Sequence, residues 1–99
     1  MAILAIFTGN ISVSQYEALR REVRWETDQP AGAVFHAVGF DDSDRLHVAD
    51  VWETPEAMQI FVEQRLVPAF EKLAITPPEV VVYPIHNVNA YRAIEQYSI

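Results

Sequence analysis

A histidine and an aspartate in neighbouring predicted strands are the side chains of this chain best placed to do chemistry. The polar, turn-forming residues Asp42, Ser43 and Asp44 separate the two strands. A turn of three or five residues places His36 opposite Asp50, whereas a turn of two or four residues slips the register and separates them. Directly opposed side chains have Cβ atoms about 4.5 to 5.5 Å apart. The sequence therefore predicts an imidazole oriented by a carboxylate, which is the arrangement of a general base.

The same two residues have a purely structural interpretation. A buried histidine–carboxylate pair also fixes strand register without taking part in catalysis. The catalytic interpretation assigns His36 as the base and Asp50 as its orienting partner. Both interpretations predict the same contact, so the contact alone does not separate them.

Four further residues are candidates for the wall of a ligand pocket around this pair. Trp52 shares the parity of Asp50 and therefore its sheet face. Phe61 and Arg65 lie on the apolar stripe of the second predicted helix, and Tyr16 lies on that of the first. Arg65 could hold a substrate carboxylate or phenolate, although an arginine in such a stripe also snorkels or pairs with an acid. Tyr16 and Trp52 could equally be core residues.

Composition excludes several classes of function. The chain has 99 residues, no cysteine and a formal net charge of −7, which repels phosphate backbones and anionic lipid. We expect no nucleic-acid partner and no membrane association, and a cytoplasmic location. A chain of this length buries only about 60 to 70 per cent of its unfolded surface by itself, which favours oligomerisation.

The three histidines do not converge on a metal. His47 has the opposite parity to His36, and His86 lies at the end of the fourth predicted strand. The acidic turn of Asp41, Asp42 and Asp44 lacks the glycine and the distal glutamate of a calcium loop. We therefore expect neither a metal nor another cofactor.

Hydrophobic patterning predicts four strands and two helices in the order βαββαβ. A capping box at Ser14 and Glu17 predicts a first helix over 15–25, and Thr54 with Pro55 predicts the start of a second, with a kink or restart at Pro68. The strands are predicted at 2–8, 33–41, 45–53 and 79–86.

This order predicts an α+β, ferredoxin-like fold, in which two helices cover one face of a four-stranded antiparallel sheet. The domain spans residues 1–86, and the tail 87–99 has apolar residues at the spacing of a short helix. Strands one and four are apolar on both faces. We expect a second copy to bury the other face, giving a homodimer.

The segment from Asp50 to Ala57 resembles the dimeric α/β-barrel superfamily, in particular small proteins related to antibiotic-biosynthesis monooxygenases. The resemblance rests on an acidic residue, one spacer and Trp52, followed by a helix that opens with Glu56 and Ala57. It extends locally to a bacterial branch of that group through residues 35–37, 65–68 and 82–88. Many members have a pocket histidine where this chain has Phe61 or Val62. The resemblance therefore implies cofactor-free oxygenation and not haem degradation.

The sequence thus favours a homodimeric protein that binds a small apolar or aromatic molecule and acts as a cofactor-free, monooxygenase-like or isomerase-like enzyme. The alternative is a non-catalytic binding or dimerisation module, in which His36 and Asp50 only pack.

Overall fold

The chain folds as a four-stranded antiparallel sheet with helices on one face. The computed structural model describes all residues, 1–99. The strand order is β2-β3-β1-β4. The elements are β1 (Ile3–Gly9), α1 (Val13–Val23), β2 (Ala33–Phe40), β3 (Leu46–Trp52), α2 (Pro55–Phe61), α3 (Val67–Leu73), β4 (Glu79–Pro84) and a C-terminal 3₁₀-helix (Arg92–Tyr97). The predicted ferredoxin-like fold is confirmed.

The β2–β3 hairpin has the predicted register. His36 lies opposite Asp50, and the last pair before the turn is Phe40 with Leu46. Asp44 closes the turn in the left-handed conformation, with φ of 58°, which aspartate tolerates better than most residues. A bulge between Ala33 and Phe35 shifts the pairing at the far end of β2 and leaves the His36 register intact.

The first helix starts two residues earlier than the sequence predicts. The hydroxyl of Ser12 accepts a hydrogen bond from the Gln15 amide at 3.2 Å, and Gln15 Oε1 accepts one from the Ser12 amide at 3.0 Å. The capping box predicted at Ser14 and Glu17 is therefore wrong. Ile11, which is fully buried, precedes Ser12 and fixes which serine begins the helix.

The second predicted helix is interrupted as expected. Residues Val62–Leu66 form a π-helical turn between α2 and α3. Pro68 lies in the first turn of α3, directly after the π-helical turn, which is a position that proline tolerates better than a helix interior. The restart keeps Phe61 and Phe70 on the same buried side of the helical layer.

One sheet face is covered and the other is open. The core lies between the helices and the covered face and includes Ile3, Leu19, Val48, Trp52 and Phe70. The opposite face, here called the open face, carries no helix. Its paired apolar residues are Leu4, Ile6, Ala37, Ala49, Val81 and Tyr83.

No helix has the length and apolar character that a membrane crossing requires.

Candidate active site

One side chain of α1 and three of the covered sheet face form a hydrogen-bonded series, here called the polar chain: Tyr16, His36, Asp50 and Trp52. Asp50 Oδ1 lies 2.6 Å from Nδ1 of His36. The indole Nε1–H of Trp52 donates to Asp50 Oδ2 at 3.3 Å. At the other end, the Tyr16 hydroxyl lies 2.9 Å from Nε2 of His36. The contact predicted between His36 and Asp50 is therefore confirmed, and the structure adds a group at each end of the pair.

The partners determine where the protons are. A carboxylate accepts hydrogen bonds, so Asp50 holds the hydrogen of His36 on Nδ1. Nε2 of a neutral imidazole is then an acceptor, and the Tyr16 hydroxyl donates to it. Burial raises the pKa of Tyr16 above its ordinary value, and the nearby carboxylate of Glu26 raises it further. Tyr16 therefore remains a neutral phenol that donates to His36.

Burial changes along the polar chain. The side chain of Asp50 is 12% exposed, whereas that of His36 is 37% exposed. The carboxylate is thus held inside the protein, and the imidazole lies between it and the opening. An imidazole in this position can exchange a proton with a bound molecule while Asp50 stabilises its charged form.

A cavity of about 210 Å³ adjoins all four residues of the polar chain. It lies between α1 and the covered face of β2 and β3, and most of its lining is apolar. Leu19, Val48 and Phe61 contribute to the wall. The structure thus brings Tyr16, His36, Asp50, Trp52 and Phe61 to one cavity, as the sequence suggests. An apolar cavity with a few convergent polar groups is typical of small-molecule sites.

Trp25 also belongs to this site, although the sequence pattern predicts it only as the last residue of the first helix. Its ring centroid lies 5.6 Å from that of Tyr16 and 5.6 Å from that of His36. Arg24, in the left-handed conformation, ends α1 and turns the chain so that Trp25 lines the cavity. The sequence feature that could have indicated this position is a large aromatic residue between the end of a helix and a polar loop.

Arg65 is not at the cavity, which corrects the predicted role as an anion handle. Its Nη2 group donates to the carbonyl oxygens of Val23 at 2.9 Å and Asp28 at 2.8 Å. The guanidinium carbon also lies 5.1 Å from the ring centroid of Phe61. The last carbonyls of a helix lack intrahelical partners, and a cation there is favourable. Arg65 thereby holds the loop that carries Trp25.

The remaining titratable residues do not build a second site. His47 pairs with Asp41 at 2.9 Å near the turn. No cluster of three or more histidine, cysteine, aspartate or glutamate side chains is arranged to hold a metal ion.

Comparison with known proteins identifies the fold through structure and not through sequence. No protein-family model matches the chain, and no curated protein matches it. Solved structures that resemble it include Rv0793 from Mycobacterium tuberculosis, with a TM-score of 0.68 and 12% identity over 91% of this chain and 100% of that one. An antibiotic-biosynthesis monooxygenase candidate from Chloroflexus aurantiacus has a TM-score of 0.63 and 18% identity over 90% and 98% of the two chains.

A third similar structure contains a ligand. The monooxygenase from the gene ActVA-Orf6 of Streptomyces coelicolor, in complex with nanaomycin D, has a TM-score of 0.64 and 14% identity, covering 91% of this chain and 92% of that one. At sequence identities this low, the similarity to these solved structures shows a shared fold and nothing further. The resemblance inferred from the Asp50–Ala57 segment is confirmed at that level: this chain has the ferredoxin-like fold of the antibiotic-biosynthesis monooxygenase-like proteins.

Proposed function

We propose that this protein binds a small hydroxyaromatic molecule in the cavity and oxygenates it without a cofactor, with His36 as the base. The observation that carries the proposal is the polar chain, in which a carboxylate holds an imidazole at an apolar cavity. The structural neighbours include proteins described as monooxygenases, which supports this class of chemistry.

The proposed reaction begins with proton transfer. Nε2 of His36 takes the proton of the substrate hydroxyl, and Asp50 stabilises the resulting imidazolium. The ionised ring is electron-rich and transfers an electron to dioxygen. For a phenol, one oxygen atom enters the ring as a quinone carbonyl and the other leaves as water. The substrate supplies both hydrogens of that water and all four electrons.

One observation favours the alternative, a binding protein without catalysis. The Tyr16 hydroxyl already engages Nε2 of His36, so the polar chain is complete without a ligand. No buried side-chain nitrogen or oxygen atom lacks a hydrogen-bond partner. Catalysis therefore requires the substrate hydroxyl to replace Tyr16 at Nε2 or to pass its proton through Tyr16.

An oxygen-uptake screen on hydroxyaromatic compounds tests the proposal. Val34 lines the cavity and is 53% exposed, so it lies at the rim. Val34→Phe should narrow the opening and lower both ligand affinity and turnover. Ile60→Phe is a matched control, because Ile60 is equally exposed on α2. Ligand binding without oxygen uptake by the wild type would favour the non-catalytic alternative. Equal effects of Val34→Phe and Ile60→Phe on ligand affinity would contradict the cavity as the site.

We also propose that two copies pair through the open face. Val81 is 51% exposed and Tyr83 is 52% exposed, although both are large apolar residues. Burial of a typical ~800 Å² per partner at ~25 cal/mol per Å² gives a gross free energy of tens of kcal/mol, which is larger than an association cost of ~4–15 kcal/mol.

Sedimentation of the wild type and of Val81→Asp tests this assembly. We expect a dimer for the wild type and a monomer for the variant, because a carboxylate would be buried in the interface. Ile60→Asp, at a similarly exposed helix position, should remain dimeric. A wild-type monomer at micromolar concentration would contradict the proposed dimer.

A further inference from the structure

The cavity contains no permanent positive charge that could hold an anionic ligand. Asp50 is the only charged side chain in its lining, apart from His36 when protonated, and no lysine or arginine lines it. Two arginines near the site are engaged elsewhere. Arg20 pairs with Glu17 at 2.7 Å and with Glu26 at 3.1 Å, and Arg65 donates to backbone carbonyls.

Most of the polar side chains of the cavity lie around His36. Tyr16, His36 and Asp50 are hydrogen-bonded in series, and the rest of the lining consists mainly of aromatic and aliphatic side chains such as Phe7 and Phe70, with the uncharged amide of Gln29 as a further polar group. A ligand that presents a hydroxyl to His36 therefore projects its other end against apolar groups. A carboxylate at that end would lose hydration without gaining a positively charged partner, which is costly.

The cavity volume limits the number of rings. An apolar cavity of ~150 Å³ in another protein accommodates benzene, and pockets for drug-sized ligands measure ~300–1,000 Å³. At about 210 Å³, this cavity lies between the two. It has room for one ring with small substituents, and the buried indole of Trp52 and the side chain of Ile11 limit its extension into the core.

We infer that the ligand of this cavity is a neutral hydroxyaromatic with a single ring, oriented with its hydroxyl towards Tyr16 and His36. The inference rests on the proposed function, since it concerns the same site. Its discriminating features are the absence of a permanent cation in the lining and the volume of the cavity. Around Tyr16, the three carboxylates of Glu17, Glu26 and Asp50 outnumber the one guanidinium of Arg20, and this excess of negative charge disfavours a ligand that arrives as an anion.

A set of matched phenols separates charge from size. Para-hydroxybenzamide and para-hydroxybenzoate have nearly the same shape and differ by one charge, and an anthrol extends the phenol to three rings. Both tryptophans of the chain, Trp25 and Trp52, line the cavity, so quenching of intrinsic fluorescence reports binding there. Calorimetry gives the dissociation constants, and the comparison of Val34→Phe with Ile60→Phe locates the bound ligand.

We expect the amide to bind at least about tenfold more tightly than the carboxylate, because the carboxylate would be buried without a positively charged partner. We also expect the anthrol to bind more weakly than phenol in spite of its larger apolar surface. Equal or tighter binding of para-hydroxybenzoate, or tighter binding of the anthrol, would overturn the inference and leave the proposed function standing. Failure of every phenol to bind would overturn both.

Discussion

The β2–β3 hairpin carries two histidine–aspartate pairs, and only one of them has the surroundings of a site. His36 and Asp50 lie on the covered face with their nitrogen and oxygen atoms 2.6 Å apart. His47 and Asp41 lie near the turn at 2.9 Å, with side chains 53% and 42% exposed. The same two residue types, at nearly the same distance from each other, therefore occur in two quite different environments.

The partners of the two carboxylates explain the difference. Asp41 accepts hydrogen bonds from the amides of Ser43 and Arg45 and so stabilises the turn. The hydrogen bond from His47, assisted by these amides, holds the pKa of Asp41 below its usual value. Asp50 is bound by the side chains of His36 and Trp52 beside a cavity. The candidate site differs from the surface pair in two ways: it adjoins a cavity, and its histidine has a second partner, the hydroxyl of Tyr16.

The largest expected contrast is in turnover. His36→Gln should lower kcat by about 100-fold or more, because an amide hydrogen-bonds but takes no proton, and general-base catalysis contributes ~10²–10⁴-fold. His47→Gln should change kcat by less than about twofold, since it faces solvent at the turn. Oxygen uptake with one substrate measures both variants. Similar losses in the two would remove the functional distinction between the pairs.

The next contrast is in stability. Asp50→Ala should lower the free energy of unfolding by about 2–4 kcal/mol, because the indole N–H of Trp52 and Nδ1 of His36 would lose their acceptor inside the protein. Asp41→Ala should cost clearly less, since water replaces the exposed carboxylate. Urea unfolding of both variants provides the comparison. A larger loss for Asp41→Ala would mean that the turn, and not the polar chain, dominates the hairpin.

The polar chain, through Tyr16, and the pair of His47 with Asp41 should also respond at opposite ends of the pH range. The pKa of Tyr16 is raised by burial, so its contribution to stability is complete below its ordinary value of 10.0 and is lost as pH rises beyond it. The pKa of Asp41 is lowered, so its contribution is complete above its ordinary value of 3.8 and is lost as pH falls below it. Tyr16→Phe should reduce the alkaline loss and leave the acid response unchanged. An alkaline loss of stability as large in Tyr16→Phe as in the wild type would contradict the assignment.

The smallest expected effect concerns the turn that holds both pairs. Asp44 Oδ1 accepts a hydrogen bond from the Val13 amide at 2.9 Å and places a negative charge at the start of α1. Asp44→Ala should cost about 0.5–1 kcal/mol, since it removes both the hydrogen bond and the charge. Asp44→Asn keeps an oxygen acceptor and tolerates the left-handed backbone, so it should lose less. Thermal unfolding distinguishes the two variants, and equal losses would show that charge alone matters.

The part of the site that follows from strand geometry could be predicted from the sequence. With a turn of three or five residues, the alternation of side chains predicts that His36 opposes Asp50 and that Trp52 shares their face, and the structure has this register. These are local properties, because a strand has a fixed period and a short turn has few conformations.

The parts that depend on packing between distant segments could not be predicted in this way. Both Ser12 and Ser14 have a glutamine or glutamate three residues later, and burial of Ile11 decides between them. Arg65 bonds to Val23 and Asp28, which are far away in sequence. The position of Trp25 depends on the loop that Arg65 holds, so a helix pattern alone gives no access to it.

The central claim is that His36, and not His47, takes a proton from a hydroxyl bound in the cavity. A single-ring phenol whose absorption changes on ionisation tests this claim directly, at a solution pH well below the pKa of the free phenol. The wild type and His47→Gln should shift the absorption of the bound phenol to that of the phenolate, because His36 accepts the proton, whereas His36→Gln should bind the phenol without the shift. A bound phenol that stays protonated in the wild type, or that ionises equally in His36→Gln, would contradict the account.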